Sequence, residues 1–122
     1  MKTIRLGIIG LGTMGSGHAR NILEGKVPRI KLTAICDLKP ELCSVAPDAK
    51  FFTSSEEMIR SGEVDAILVA TPHYFHTTIG IDGLQNGLHV LVEKPISVHK
   101  ADAQRLIAAH TNPKQVFAAM SL

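Results

Sequence analysis

Tryptophan is absent from these 122 residues, and the aromatic side chains come to four Phe and one Tyr. So sparse a set of flat rings excludes a base-stacking surface for RNA or single-stranded DNA. An excess of one charge is lacking too. Thirteen Lys and Arg stand against 11 Asp and Glu, a formal net of +2, which excludes a nucleic-acid arm or a polybasic membrane anchor. No apolar run reaches the roughly 18 residues that suggest a membrane span. Lys2 and Arg5 bracket only two residues, and the apolar stretch behind them is broken by Gly7, Gly10 and Gly12, so the N-terminus reads as neither signal peptide nor anchor. Cysteine is confined to Cys36 and Cys43. Their spacing fits neither a disulfide scaffold nor a zinc site, and both are expected to be reduced, packed thiols in a cytoplasmic protein without a metal.

Hydrophobic residues make up 45% of the chain and charged residues 20%, the composition of a folded domain and not of a disordered tail. The length suits one domain over residues 1–122, one that buries roughly two-thirds of its unfolded surface. There is no internal repeat, low-complexity tract or linker. Short apolar runs alternate with helix-like stretches. Strands are expected at Arg5–Ile9, Ile30–Cys36, Lys50–Thr53, Ala66–Ala70, His89–Val92 and Val116–Leu122. Helices are expected at Met14–Leu23, Glu41–Val45 and Tyr74–Gln85, with another after a capping box of Ser54 and Glu57 that stops at Gly62. A last helix follows an N-cap at Ser97 and carries Ala103, Leu106, Ile107 and His110 on one face. Ala66-Ile67-Leu68-Val69-Ala70 is apolar throughout, as a strand buried on both faces should be. The alternation predicts α/β architecture: a doubly wound parallel sheet of the Rossmann type in three α/β/α layers. The last strand is expected either to lie centrally or to be continued by further chain.

Gly10-Leu11-Gly12-Thr13-Met14-Gly15 has the form G-x-G-x-x-G. It gains meaning from following a predicted strand and opening a predicted helix. Gly10 permits the turn, Gly12 lets the backbone approach a pyrophosphate, and Gly15 lets helix and strand pack closely. The helix N-terminus adds free amides and a positive dipole end. Asp37 stands at the end of the second strand, 22 residues after Gly15. There its carboxylate can accept from both hydroxyls of an adenosine ribose and repel a 2′-phosphate, which favours NAD over NADP. Lys39 nearby is a cation that could tolerate the phosphate. The opposing readings are a glycine-rich turn with a surface Asp capping the next helix, another dinucleotide such as FAD on the same loop, and a methyl-donor cofactor, whose sites usually have a looser glycine pattern.

Two further strand ends fall on the edge where such sheets bind ligands. Ala70-Thr71-Pro72 ends the fourth strand, with Pro72 fixing the turn, Thr71 offering a hydroxyl, and His76 either pointing at the site or capping the helix. Glu93-Lys94-Pro95 ends the fifth. Lys94 either bonds a substrate hydroxyl or carbonyl and stabilises oxyanion charge, or lies in solvent beside a strand-end salt bridge of Glu93. His18, inside the first helix, reads as packing.

Together, Gly10 to Gly15 with His18, Cys36-Asp37, Ala70-Thr71-Pro72 with His76, and Gly87-Leu88-His89-Val90 running into Glu93-Lys94-Pro95 resemble the N-terminal half of the Gfo/Idh/MocA oxidoreductases over essentially the whole chain. The resemblance implies an NAD-dependent enzyme that passes hydride between the nicotinamide and a carbinol carbon of a sugar, cyclitol or relative. It implies that Lys94 contacts the reacting hydroxyl and helps relay its proton, that Glu93 helps position the cofactor, and that Thr71, Pro72 and His76 lie along the dinucleotide. Family members continue into a second domain that shapes the substrate pocket, supplies an Asp and a His, and forms the usual homo-oligomer face. None of that domain is expected within these residues, so this chain alone is expected to bind cofactor without turnover. The alternative is a free-standing NAD(H) sensor. Gly80 and Gly83 depart from the family pattern inside a helix, where each should cost up to about 1 kcal/mol.

Overall fold

The computed structural model describes residues 2–93 and 100–120. Six strands form one sheet: β1 (Ile4–Ile9), β2 (Ile30–Cys36), β3 (Lys50–Phe52), β4 (Ala66–Val69), β5 (His89–Glu93) and β6 (Phe117–Met120). Their order is β3-β2-β1-β4-β5-β6, and every neighbouring pair is parallel. The α-helices are α1 (Thr13–Leu23), α2 (Ser55–Arg60), α3 (His73–Gln85) and α4 (Lys100–Ala109). The expected doubly wound α/β/α architecture is therefore what the chain adopts. Between β1 and β4 the strand order reverses, and a crevice opens there at the carboxyl ends.

All four residues of β4 are buried. Alternation along the strand sends Ile67 and Val69 to one core and Ala66 and Leu68 to the other. The first core holds Met58 and Ile59 of α2, Leu84 of α3 and Leu106 of α4. The second holds Ala19 and Ile22 of α1, with Leu42 and Val45 from a short 3-10 helix, Pro40–Val45. The short helix expected at Glu41–Val45 is this 3-10 helix, which begins one residue earlier at Pro40. Among the described residues, no helix is long and apolar enough to cross a membrane.

Gly80 and Gly83 are explained by what they pack against. A Cβ on Gly83 would lie 2.7 Å from Ile67 Cδ1 and 3.0 Å from Val90 Cγ2, and one on Gly80 would lie 2.7 Å from Leu106 Cδ1. The bare backbone of α3 thus seats the helix on the sheet and α4 on the helix. The loss of helix propensity is offset by close packing.

Three local expectations are corrected. Ile107 is 56% exposed, whereas Leu106 beside it is fully buried. The inward face of α4 runs through Leu106 and Ala109, and Ile107 sits about 100° further round the helix. The capping box forms only in half: Ser54 Oγ accepts from the Glu57 amide at 3.3 Å. Cys43 is exposed, because the 3-10 helix turns only Leu42 and Val45 toward the core. The Ser97 cap expected for α4 lies outside the described residues, as do Ser121 and Leu122.

Candidate dinucleotide site

The glycine turn is built by contacts that leave no alternative residue at two of its positions. Gly10 has φ +97°, and a Cβ there would lie 2.8 Å from the Ala70 carbonyl carbon. A Cβ on Gly15 would lie 1.8 Å from Gly10 O, so α1 rests directly on the turn. Gly12 differs, since a Cβ there would meet nothing within 4 Å. Its open side faces the cleft and leaves the backbone approachable.

Gly12 is also the N-cap of α1, and no side chain caps the helix. Nor is there an acidic residue in its first turn. An 11-residue helix therefore presents its first amides and its positive end with no protein acceptor supplied by a capping side chain. Such an end accepts an anion. Thr13 and Met14 stand exposed on this first turn, whereas the Leu11 side chain is buried in the core below.

Asp37 does two things at the end of β2. Its Oδ2 accepts from the Leu11 amide at 2.8 Å and its Oδ1 from the Lys39 amide at 3.0 Å. The carboxylate thereby ties the glycine turn to β2, and each oxygen keeps lone-pair capacity for a further donor. The Gly10 amide donates to Cys36 O at 2.9 Å and strengthens the same junction. Burial, then the charges of Asp37 and Glu57, push the Cys36 thiol up to about 11, so it stays a neutral, unreactive group in the floor of the cleft.

Gly10, Gly12, Asp37, Thr71 and Pro72 line one cleft of about 480 Å³, the size of a cofactor pocket. The sequence reading missed other parts of its wall, namely Leu38, Thr53, Ser55, Phe75 and Ile79. Leu38 is 84% exposed and Phe75 46%. An apolar residue directly after the strand-end acid was the available signal for Leu38. No local signal marked Phe75. The Thr71 hydroxyl oxygen is buried and has no hydrogen-bond partner among the described residues.

His76 is fully buried, and its Nε2–H donates to Thr71 O at 2.6 Å. It thus braces the Thr71-Pro72 loop from behind. Glu93 is also buried, on the α1 side of β5, with its Oε1 bonded to His18 Nε2. Lys94 lies outside the described residues. A second groove, lined chiefly by apolar residues such as Leu6, Ile22, Leu68 and Leu91, runs along the α1 face of the sheet away from the glycine turn. Among the described residues no group of three or more His, Cys, Asp or Glu could hold a metal ion.

Residues 4–120 match the model of the Gfo/Idh/MocA oxidoreductases, described as an oxidoreductase family with an NAD-binding Rossmann fold. The chain is 30% identical over 112 residues to inositol 2-dehydrogenase of Salmonella typhimurium, covering 88% of this chain and 33% of that protein. Its fold is similar to myo-inositol 2-dehydrogenase of Lactobacillus plantarum, with TM-score 0.89 and 29% identity over 98% of this chain and 36% of that one. It is similar also to scyllo-inositol dehydrogenase of Lactobacillus casei solved with NAD(H) and scyllo-inositol, with TM-score 0.85 and 31% identity over 97% and 36%. The chain thus spans about one-third of the length of these relatives.

Proposed function

The chain belongs to the Gfo/Idh/MocA oxidoreductase family, in its NAD-binding Rossmann part, and from that premise we propose that its cleft holds NAD(H) for hydride exchange with a sugar, a cyclitol or a related carbinol. The observation that carries the reading is the open side of Gly12 at the uncapped start of α1, with Asp37 beside it. The pyrophosphate would lie on the amides at the start of α1, with Thr13 and Met14 flanking it. The adenosine ribose would give its hydroxyls to Asp37. Leu38 and Phe75 supply apolar surface for the adenine, and Thr71 and Pro72, held by His76, flank the path toward the nicotinamide. When bound, NAD supplies the hydride acceptor. Glu93 and Lys94 serve the far half of the site, Glu93 in placing the cofactor and Lys94 in holding the reacting hydroxyl and passing on its proton. The rest of the substrate pocket and the oligomer face are proposed to come from a further domain like those of the relatives, so that this chain by itself binds cofactor without turnover.

A calorimetric comparison of NADH and NADPH tests the reading. NADH is expected to bind saturably and at least about 10-fold more tightly than NADPH, because a 2′-phosphate would meet the Asp37 carboxylate. Asp37→Asn is expected to weaken NADH by about 10-fold and to close the gap to NADPH, as befits the loss of a charged acceptor. Equal affinities that the substitution leaves unchanged would contradict the assignment of Asp37. Absence of binding to either nucleotide would contradict the function.

A further inference from the structure

His18 was expected to be mere packing, yet it bonds a buried carboxylate, Glu93, at the far end of the binding edge. His18 is 7% exposed and Glu93 6%. One carboxylate oxygen, Oε1, meets His18 Nε2, and the other, Oε2, is buried with no hydrogen-bond partner among the described residues. Stability alone does not account for this arrangement. Two apolar side chains of similar volume would serve the core at least as well as a buried acid–imidazole pair, and a buried carboxylate oxygen without a donor is unfavourable. A buried acceptor left without a donor calls for an explanation, and a bound ligand at this edge of the sheet supplies one.

The strand order says which part of a dinucleotide comes near. Asp37 ends β2, the glycine turn follows β1, Thr71 follows β4, and Glu93 ends β5. With the adenosine at β2 and the pyrophosphate on the turn, the remaining half extends toward β4 and β5. We propose that His18 is a positioning residue for the nicotinamide-ribose half of the cofactor, acting through Glu93. By holding Oε1 from α1, it fixes the carboxylate so that Oε2 is left for a donor on that half, a ribose hydroxyl or the carboxamide. The proposal rests on the dinucleotide reading above. It adds that α1, already the pyrophosphate helix through its first turn, also sets the opposite half of the site through its second.

The test separates the two halves of the ligand. ADP carries the adenosine and the pyrophosphate and stops there, so its binding reports a folded site without engaging Glu93. In calorimetric titrations, His18→Leu is expected to bind NADH about 10-fold more weakly and ADP within about two-fold of the unsubstituted chain, the loss of one charge-assisted contact. His18→Gln, whose side-chain amide can donate to Oε1, is expected to recover most of the NADH affinity. Glu93→Gln is expected to show the same selective loss as His18→Leu and carries the test if that variant does not fold. Parallel loss of NADH and ADP in Glu93→Gln and His18→Gln, or no change in either ligand, would overturn the proposal. An unsubstituted chain that binds neither nucleotide would instead overturn the dinucleotide reading on which it stands.

Discussion

Gly15→Ala is expected to destabilise the domain by about 3–5 kcal/mol, above the roughly 1–3 kcal/mol usual for overpacking because the clash is with backbone, and to lower Tm by about 10–20 °C. The added methyl would sit 1.8 Å from Gly10 O, far inside contact distance. Neither partner can yield cheaply. Gly10 is held at φ +97° against the Ala70 backbone, and its amide is bonded to Cys36 O. Relief would have to come from lifting α1 off the sheet, which would open the packing of Ala19 and Leu11 and pull His18 from Glu93. Thermal unfolding followed by circular dichroism checks this, and a Tm within about 3 °C of the parent chain would show that the helix does not rest on the turn as described.

Gly12→Ala should do the opposite, although it lies three residues away in the same motif. Its φ of −69° suits any residue, and a Cβ there meets nothing within 4 Å. The folding cost is limited to a poorer N-cap, about 1 kcal/mol or less. The methyl group would stand where the pyrophosphate must approach the backbone, so NADH affinity is expected to fall by about 10- to 100-fold. Near-normal Tm with lost binding for Gly12→Ala, against lost Tm for Gly15→Ala, would separate a glycine kept for the ligand from one kept for the fold. Undiminished NADH binding by Gly12→Ala would place the phosphates elsewhere.

What could be read from the chain was whatever is decided locally. The unbroken apolar run of β4, the glycine motif between strand and helix, and the acid at the end of β2 each announce themselves over a few residues. The structure brings Gly10, Gly12, Asp37, Thr71 and Pro72 into one cleft. What could not be read depends on neighbours distant in sequence. Gly83 looks like a weak helix residue until Ile67 and Val90 are seen against it. His18 and Glu93 are 75 residues apart, and only the 1-4-5 order of strands brings α1 within reach of the end of β5. Ile107 and Leu106 are equally apolar, and a single step around α4 decides which is buried. Gln115 is a further case, a polar residue buried because its side-chain amide donates to Leu84 O and Leu88 O and ties the approach to β6 onto the end of α3.

The central claim is that one dinucleotide lies across the carboxyl ends of β2, β1 and β4, with its phosphates on Gly12. Amide proton–nitrogen correlation spectra of the chain titrated with NADH test it most directly, because they report position and binding together. The largest shifts are expected at Gly10 to Met14, at Asp37 and Leu38, and at Thr71. Shifts confined to Leu6, Ile22, Leu68 and Leu91, along the apolar groove on the α1 face, or no shifts at saturating NADH, would contradict it.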